Sequence, residues 1–328
     1  MVIMVGPSRV PRAATALRPT WAELPEVLRG HLQDHLGSRV IEARSQGSGF
    51  TPGFASRLRL ANGSRCFVKA ASSEIAWVAA AYRDEASKLA LLPAGVPAPR
   101  LTTTLLLDHD QVVGLEHAWV VLVFEDIDGE PPIRPWTLDQ AASALRATTA
   151  MSTALTPAPG GYRWHSVVDD LGQGPAWSNL DDHQEWQPQL DDLVALTSRA
   201  EELLTGNTLV HLDLRDDNMI IDHHGHAWIC DWNFPALGPI WADTVCIAIS
   251  MQGDGLDGER LLARSPLITE GDHEGIDCLL ALLTAYFLTN GSEPVLASSP
   301  YLRTHQQWYG RVTGDWLRRR RRWMPALG

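Results

Sequence analysis

Residues 208–233 read TLVHLDLRDDNMIIDHHGHAWICDWN. Three short β-rich runs, TLVHLD, NMIID and HAWICDW, are separated by polar turns, which predicts strands and loops here. The segment from His211 to Asn218 has the form H-x-D-x-x-x-x-N, and Asp231 follows Asn218 by thirteen residues at the end of an apolar run. The five-residue spacing between Asp213 and Asn218 lets a loop set both side chains on the same side of a cleft, and a hairpin then returns Asp231 to face them. Reactive side chains commonly sit on such loops, held by a rigid scaffold.

This grouping suits phosphoryl transfer. A carboxylate must orient the attacking hydroxyl and accept its proton, while an amide oxygen and a second carboxylate hold magnesium against nucleotide phosphates. Asp213 fits the first role, and Asn218 and Asp231 fit the second. Two other chemistries share parts of the pattern. His211, Asp213, His223, His224, His226 and Asp231 include zinc-binding residue types, as in a metal-dependent hydrolase. The run His223-His224-Gly225-His226 falls in the predicted hairpin turn, however, where a solvated turn explains it. A non-catalytic nucleotide-binding protein is the second alternative, although every side chain the reaction needs is present.

Working outward, the pattern from Val40 to Ala70 (VIEARSQ, GSGFTPG, FASRLRL, ANGS, RCFVKA) predicts an antiparallel meander with a glycine-rich turn. Ser73 to Leu92 has helix formers and apolar positions at three-to-four spacing, ending before Pro93. LTTTLLL at 101–107 and HAWVVLVF at 117–124 predict two more strands, after which EDIDGEPP is a connector. The remainder is mainly helical, over 137–152, 187–204, 239–252, 272–290 and 305–322.

HLDLRDDN, followed by a strand ending in Asp231-Trp232, resembles the aminoglycoside phosphotransferase family, distant relatives of protein kinases. Protein kinases usually carry D-F-G at the second position, whereas this chain has Asp231-Trp232-Asn233, which favours a small-molecule kinase. The likeness extends to VPAPRL, to the hinge-like VLVFEDIDGE and to Asp243, a structural acid behind the catalytic loop. It implies an α+β, two-lobed protein-kinase-like fold. Residues 1–126 would form a mainly antiparallel β, nucleotide-binding lobe with the hinge at its end, and 127–328 a mainly α catalytic and substrate-binding lobe. It further implies ATP and Mg2+ as cofactors and a hydroxyl of a small molecule as acceptor.

Lys69 on the third strand is expected to grip the α/β-phosphates, with Arg65 in a turn as the nearby rival. Glu85 is its expected ion-pair partner, with Glu74 and Asp84 on the same helix as rivals. Gly47, Ser48 and Gly49 could cradle phosphates through backbone N–H groups, although a plain hairpin turn reads the same. His211 orients the loop by hydrogen bonding or is simply packed. Backbone groups from Val123, Phe124, Glu125 and Asp126 are expected to hold the adenine.

Lys and Arg number 27 against 39 Asp and Glu, a net charge of -12, which disfavours nucleic acid or an anionic membrane as partner. Arg318 to Arg322 is a local exception, expected to belong to a docked terminal helix. Cys66, Cys230, Cys246 and Cys278 lie far apart and form no CxxC pair, which suits reduced core residues in a cytoplasmic protein. The N-terminal MVIMVGPSRVPR has no apolar stretch of signal-peptide length. Of thirteen tryptophans, Trp164, Trp177 and Trp186 could stack on a substrate ring or pack in the core. Residues 161–200 contain seven acids against two bases, and 241–300 nine against two. A few of these sixteen acids at the acceptor site would favour an amine-bearing acceptor.

Overall fold

The computed structural model describes residues 6, 8–108, 110, 112–172, 177 and 184–323. Asp181 and Asp182 of the acid count lie outside these, as do residues 1–5 and 7 of the N-terminal stretch. A first helix, α1 (Glu26–Leu36), precedes the sheet. Its apolar positions are only Val27, Leu28, Leu32 and Leu36, too few for the sequence periodicity to announce it.

The expected meander forms β1 (Val40–Ser45), β2 (Phe54–Leu60) and β3 (Arg65–Ser72). Next come α2 (Ala76–Leu89), β4 (Leu101–Leu107) and β5 (Trp119–Glu125). The five strands pair antiparallel in the order β1-β2-β3-β5-β4. Lys69 stands opposite Ala55 on one side and Leu122 on the other. Because successive side chains alternate across a sheet, the two faces build separate cores. Phe54, Leu58, Val68, Val121 and Val123 pack with Leu28 and Leu32 of α1. Ala71, Val120, Leu122 and Phe124 pack with Val78, Ala79 and Tyr82 of α2. Lys69 shares the parity of Phe67 and Ala71 and therefore points to the α2 face.

After β5 and the short β6 (Gly129–Glu130) the chain is mainly helical: α3 (Leu138–Ala154), α4 (Val167–Gly172), α5 (Leu190–Thr197) and α6 (Ala200–Leu203). Four short strands follow, β7 (Thr208–Val210), β8 (Met219–Asp222), β9 (Ala227–Ile229) and β10 (Ala236–Gly238). The chain closes with α7 (Ala242–Gly253), α8 (Gly258–Leu262), α9 (His273–Ser292) and α10 (Leu302–Arg320). An antiparallel β region followed by a helical region is the α+β class expected above. The single helix expected over 187–204 is instead a 3-10 turn, α5 and α6. At the break, Thr197 Oγ1 donates to Leu193 O at 2.8 Å and Ser198 Oγ to Ala195 O at 2.8 Å. Such hydroxyls compete for the helix carbonyls.

α7 and α9 are buried on almost all sides and form the centre of the helical core with α3 and α10. The arginine run fastens α10 to its neighbours. Arg320 pairs with Asp277 and Glu259, Arg321 with Glu274 and Asp277, and Arg318 lies 3.5 Å over the Trp186 ring. Among the described residues no helix is long and apolar enough to cross a membrane.

Candidate active site

The loop between β7 and β8 is fixed from behind. Asp243 of α7, fully buried, accepts the backbone N–H of His211 at 2.7 Å and that of Leu212 at 2.9 Å. Those bonds hold Leu212 at φ +63, a region that costs a non-glycine residue about 1–3 kcal/mol unless its surroundings enforce it. His211 is buried edge-on against Trp232, and its Nε2 is 2.9 Å from Cys230 O. Burial lowers its pKa and favours the neutral ring. The β8–β9 hairpin then brings Asp231 back beside Asn218, with Cys230 N donating to Asn218 O at 2.9 Å. Asp231 is itself at φ +66.

Asn218 Nδ2 donates to Asp213 O at 2.8 Å and to Asp213 Oδ2 at 3.0 Å, which leaves the amide oxygen without a partner among the described residues. Asp213 also pairs with Arg215, which in turn grips Asp217 at 2.7 Å. Burial raises the Asp213 carboxyl to about 6 in spite of Arg215. Asp231 goes the other way. Burial would raise it, but Lys69 at 2.8 Å outweighs that cost and holds it near about 2. Lys69 donates to both Glu85 oxygens, at 2.7 and 2.8 Å, and this ammonium stays charged because two carboxylates offset its burial. Glu85 is buried, on the same α2 stripe as Val78 and Tyr82, and burial raises its pKa against Lys69.

The rival residues have other partners. Asp84 pairs with Lys88 and bonds Tyr162, and Arg65 pairs with Asp126 and Asp128. Lys88, which the sequence reading did not single out, ties α2 to the loop after Asp231 by donating to Asn233 O at 2.6 Å.

Two cavities meet at Asp231. The first, about 120 Å³, lies between the sheet and the β8–β9 hairpin. Its walls include Ser48, Gly49, Lys69, Glu85, Asn218 and Asp231, closed on the apolar side by Phe67, Leu89, Phe124 and Ile220. Glu125 and Asp126 line it too, but their carboxylates serve the connector: Glu125 accepts from Arg100 N, and Asp126 pairs with Arg57 and Arg65. Val123 is not in this lining. Its odd position on β5 sends it to the α1 core, and its backbone is used by the sheet. Gly47 is also outside the lining; a Cβ there would come within 2.7 Å of Ala13 Cα, so its smallness serves the N-terminal segment.

The second cavity, about 440 Å³, has Asp213, Arg215 and Asp231 at its floor and aromatic walls from Phe50, Trp77, Phe234, Tyr286 and Phe287. Sequence reasoning missed these walls, because they come from four separate segments with no shared motif. Asp170 is the one member of the sixteen acids counted above that lines this cavity. The others that were described do not; Asp277 and Glu274, for example, serve the α10 arginines. Trp177 and Trp186 stack on each other in the core at 5.2 Å, and Trp164 donates to Pro159 O. None of the three lines the cavity. The histidine cluster occupies the β8–β9 turn, where Asp222 accepts the N–H groups of His224 and His226, at 2.9 Å each.

The donor set suits a hard divalent cation. Asp231 is ionised, the Asn218 amide oxygen is unengaged, and both are oxygen ligands of the kind magnesium takes beside phosphates. Asp213, at a pKa of about 6, is ionised near neutrality yet basic enough to accept a proton.

Comparison with known proteins agrees with this geometry. No curated protein sequence matches the chain. Solved structures do. Choline kinase LicA from Streptococcus pneumoniae is 15% identical, with a TM-score of 0.55, covering 88% of this chain and 97% of that one. Spectinomycin phosphotransferase APH(9)-Ia, solved with ADP and spectinomycin, is 12% identical, with a TM-score of 0.56, covering 88% and 96%. Amicoumacin kinase hAmiN, solved with AMP-PNP, Ca2+ and Ami, is 12% identical, with a TM-score of 0.52, covering 87% and 93%. At such identities the likeness is one of fold, the kinase-like fold. Residues 49–273, which hold both cavities' floor and the whole 208–233 stretch, match the phosphotransferase enzyme family (APH), and the chain belongs to that family.

Proposed function

We propose that this protein transfers the γ-phosphoryl group of ATP, with Mg2+, to a hydroxyl of a small amine-bearing molecule. In this reading residues 1–126 form the nucleotide lobe and 127–328 the catalytic and acceptor lobe. The observation that carries it is the sharing of Asp231 between two cavities, with Lys69 and Asn218 in the first and Asp213 on the floor of the second.

Lys69, held by Glu85, positions the nucleotide phosphates, and Asn218 and Asp231 are the residues that would hold the magnesium. Bound there, the ion would supply neutralisation of the phosphate charge. Asp213 orients the acceptor hydroxyl and takes its proton as the new O–P bond forms and the bond to the β-phosphate oxygen breaks. Asn218 fixes Asp213 by two hydrogen bonds, and Arg215 keeps the buried carboxylate ionisable. His211 transfers no proton in this scheme; its Nε2–H donates to Cys230 O and fastens the loop. The amine is supported by the second cavity's lining, where Asp170 joins Asp213 and Asp231, which Arg215 and Lys69 already pair, among several aromatic faces. Aromatic faces and carboxylates together favour an ammonium group.

The test is ATP consumption by the full chain with aminoglycosides, other antibiotics, amino sugars and choline-like alcohols, with the product identified by mass. Turnover confined to amine-bearing acceptors, with an acceptor KM that rises from low to high salt, supports the reading. A neutral sugar phosphorylated with a salt-independent KM, and no amine turned over, sinks the amine. Absence of Mg-dependent ATP binding sinks the activity.

A further inference from the structure

The first cavity is lined by one cation that neither the catalytic loop nor the sheet supplies. Arg18 belongs to the N-terminal segment, ahead of the residues that match the family. This segment is docked on the glycine-rich turn at three successive carbonyls. Thr15 donates its N–H to Gly47 O at 3.0 Å and its hydroxyl to Gly47 O at 2.8 Å and to Gly49 O, and Arg18 Nη2 donates to Ser48 O at 2.8 Å. The close approach of Ala13 to Gly47 is part of the same docking. The segment is tied to the helical region as well, through Leu17 N to Ser298 O at 2.8 Å and Trp308 Nε1 to Gly6 O at 2.9 Å.

The charge of Arg18 is unspent. Of the cations lining the cavity, Lys69 is balanced by Glu85 and Asp231, and Arg57 by Asp126. Arg18 has no carboxylate within ion-pairing distance among the described residues, and its Nε is buried with no hydrogen-bond partner. Leaving a buried donor unmet is costly, more so on a charged group. Arg18 also lines the cavity, where its charge can act on an anion. Arg18 Nη2 lies against Gly49, and Arg18 and Lys69 both act on Tyr82, whose ring is 5.5 Å from Lys69 Nζ. A guanidinium fork there fits two oxygens of one phosphate group.

We propose that Arg18 is a second phosphate-binding cation of the nucleotide cleft, delivered by the docked N-terminal segment and complementary to Lys69. The inference rests on the nucleotide reading above and adds to it a residue, and a role for the segment as the part that completes the phosphate end of the cleft.

The experiment is calorimetric binding of ATP, ADP and adenosine to the full chain at fixed Mg2+, comparing wild type with Arg18→Gln and Arg18→Lys. Glutamine keeps a donor for Ser48 O and removes the charge. Arg18→Gln is expected to weaken ATP and ADP about tenfold or more, the effect of a charged hydrogen bond, with adenosine within about twofold, and Arg18→Lys to fall between. Unchanged ATP affinity, or equal losses for ATP and adenosine, overturns the proposal, the latter marking Arg18 as an anchor of the segment only. Should Arg18→Gln fail to fold, Arg18→Lys decides: a reduced preference for ATP over adenosine supports a bidentate phosphate contact, and an unaltered preference overturns it. A wild-type chain that binds none of the three removes the nucleotide reading itself, an outcome distinct from all of these.

Discussion

The two cavities share Asp231 but differ in how their charges are arranged. In the first cavity, Lys69, Glu85 and Asp231 neutralise one another across a sheet, a helix and a hairpin, and Asp231 stays ionised, at about 2. In the second cavity Asp213, also raised by burial and with a single arginine shared with Asp217, rises to about 6. Two carboxylates in adjoining sites are thus separated in basicity by their neighbours. One is suited to hold a cation, the other to accept a proton.

The sharpest way to break this contrast is at Asp213. Asp213→Asn keeps the shape and removes the base, so kcat should fall by about 10³-fold, while ATP affinity stays within about twofold. Turnover near wild type would end the assignment.

On the other side, Lys69→Met strips the compensation from two carboxylates, one of them buried. Removing one partner of a buried pair costs about 3–5 kcal/mol, so a drop in Tm should accompany the kinetic loss. Glu85→Leu added to Lys69→Met should return part of that stability. If the double variant melts no higher than the single one, the ion pair is not what the buried carboxylate depends on.

Asp231→Asn should weaken ATP binding about 10- to 100-fold, the worth of a charged contact, and only when Mg2+ is present. Equal affinity with and without the substitution would move the ligand role elsewhere.

The pH profile sharpens the contrast further. Asp213 must be ionised to accept a proton, so kcat should be flat above its raised value and fall about tenfold per pH unit below about 6. Arg215→Gln, which removes a cation that lowers this carboxyl, should move the acid limb upward. A limb near 4 would show that burial does not set the base.

The smallest effect belongs to the aromatic walls. Trp77 is 59% exposed and Phe234 63%, so replacing either by alanine should leave Tm unchanged. The acceptor KM should rise about threefold to tenfold, the scale of one ring contact, with the KM for ATP unmoved. A loss confined to the KM for ATP would place these rings in the wrong cavity.

The chemistry of the site was legible because it is written locally. The loop that carries Asp213 and Asn218 and the hairpin that returns Asp231 span 21 residues from His211 to Asp231, and strand parity alone sends Lys69 to one face. Parity also sends the Val123 side chain to the α1 face and that of Phe124 to the α2 face, a distinction visible in the alternation of β5 once its partner faces are known. Four things came only from tertiary structure. Glu85 is selected over Asp84 because α2 turns its buried stripe toward β3, while Glu74, expected on the same helix, sits in a 3-10 turn ahead of it. Acids counted along the chain say little of a cavity wall, since helix packing spends Glu274 and Asp277 on the α10 arginines and leaves Asp170 at the second cavity. Phe50, Trp77, Phe234, Tyr286 and Phe287 meet only when the glycine-rich turn, α2, the loop after Asp231 and α9 close together, and Arg18 reaches the cleft only because Thr15 docks on Gly47. Sequence by itself determined the reactive groups, whose spacing within one loop and hairpin is a property of short-range chain geometry. Tertiary structure decided what surrounds them, because long-range packing brings together residues whose separation along the chain carries no periodic signal.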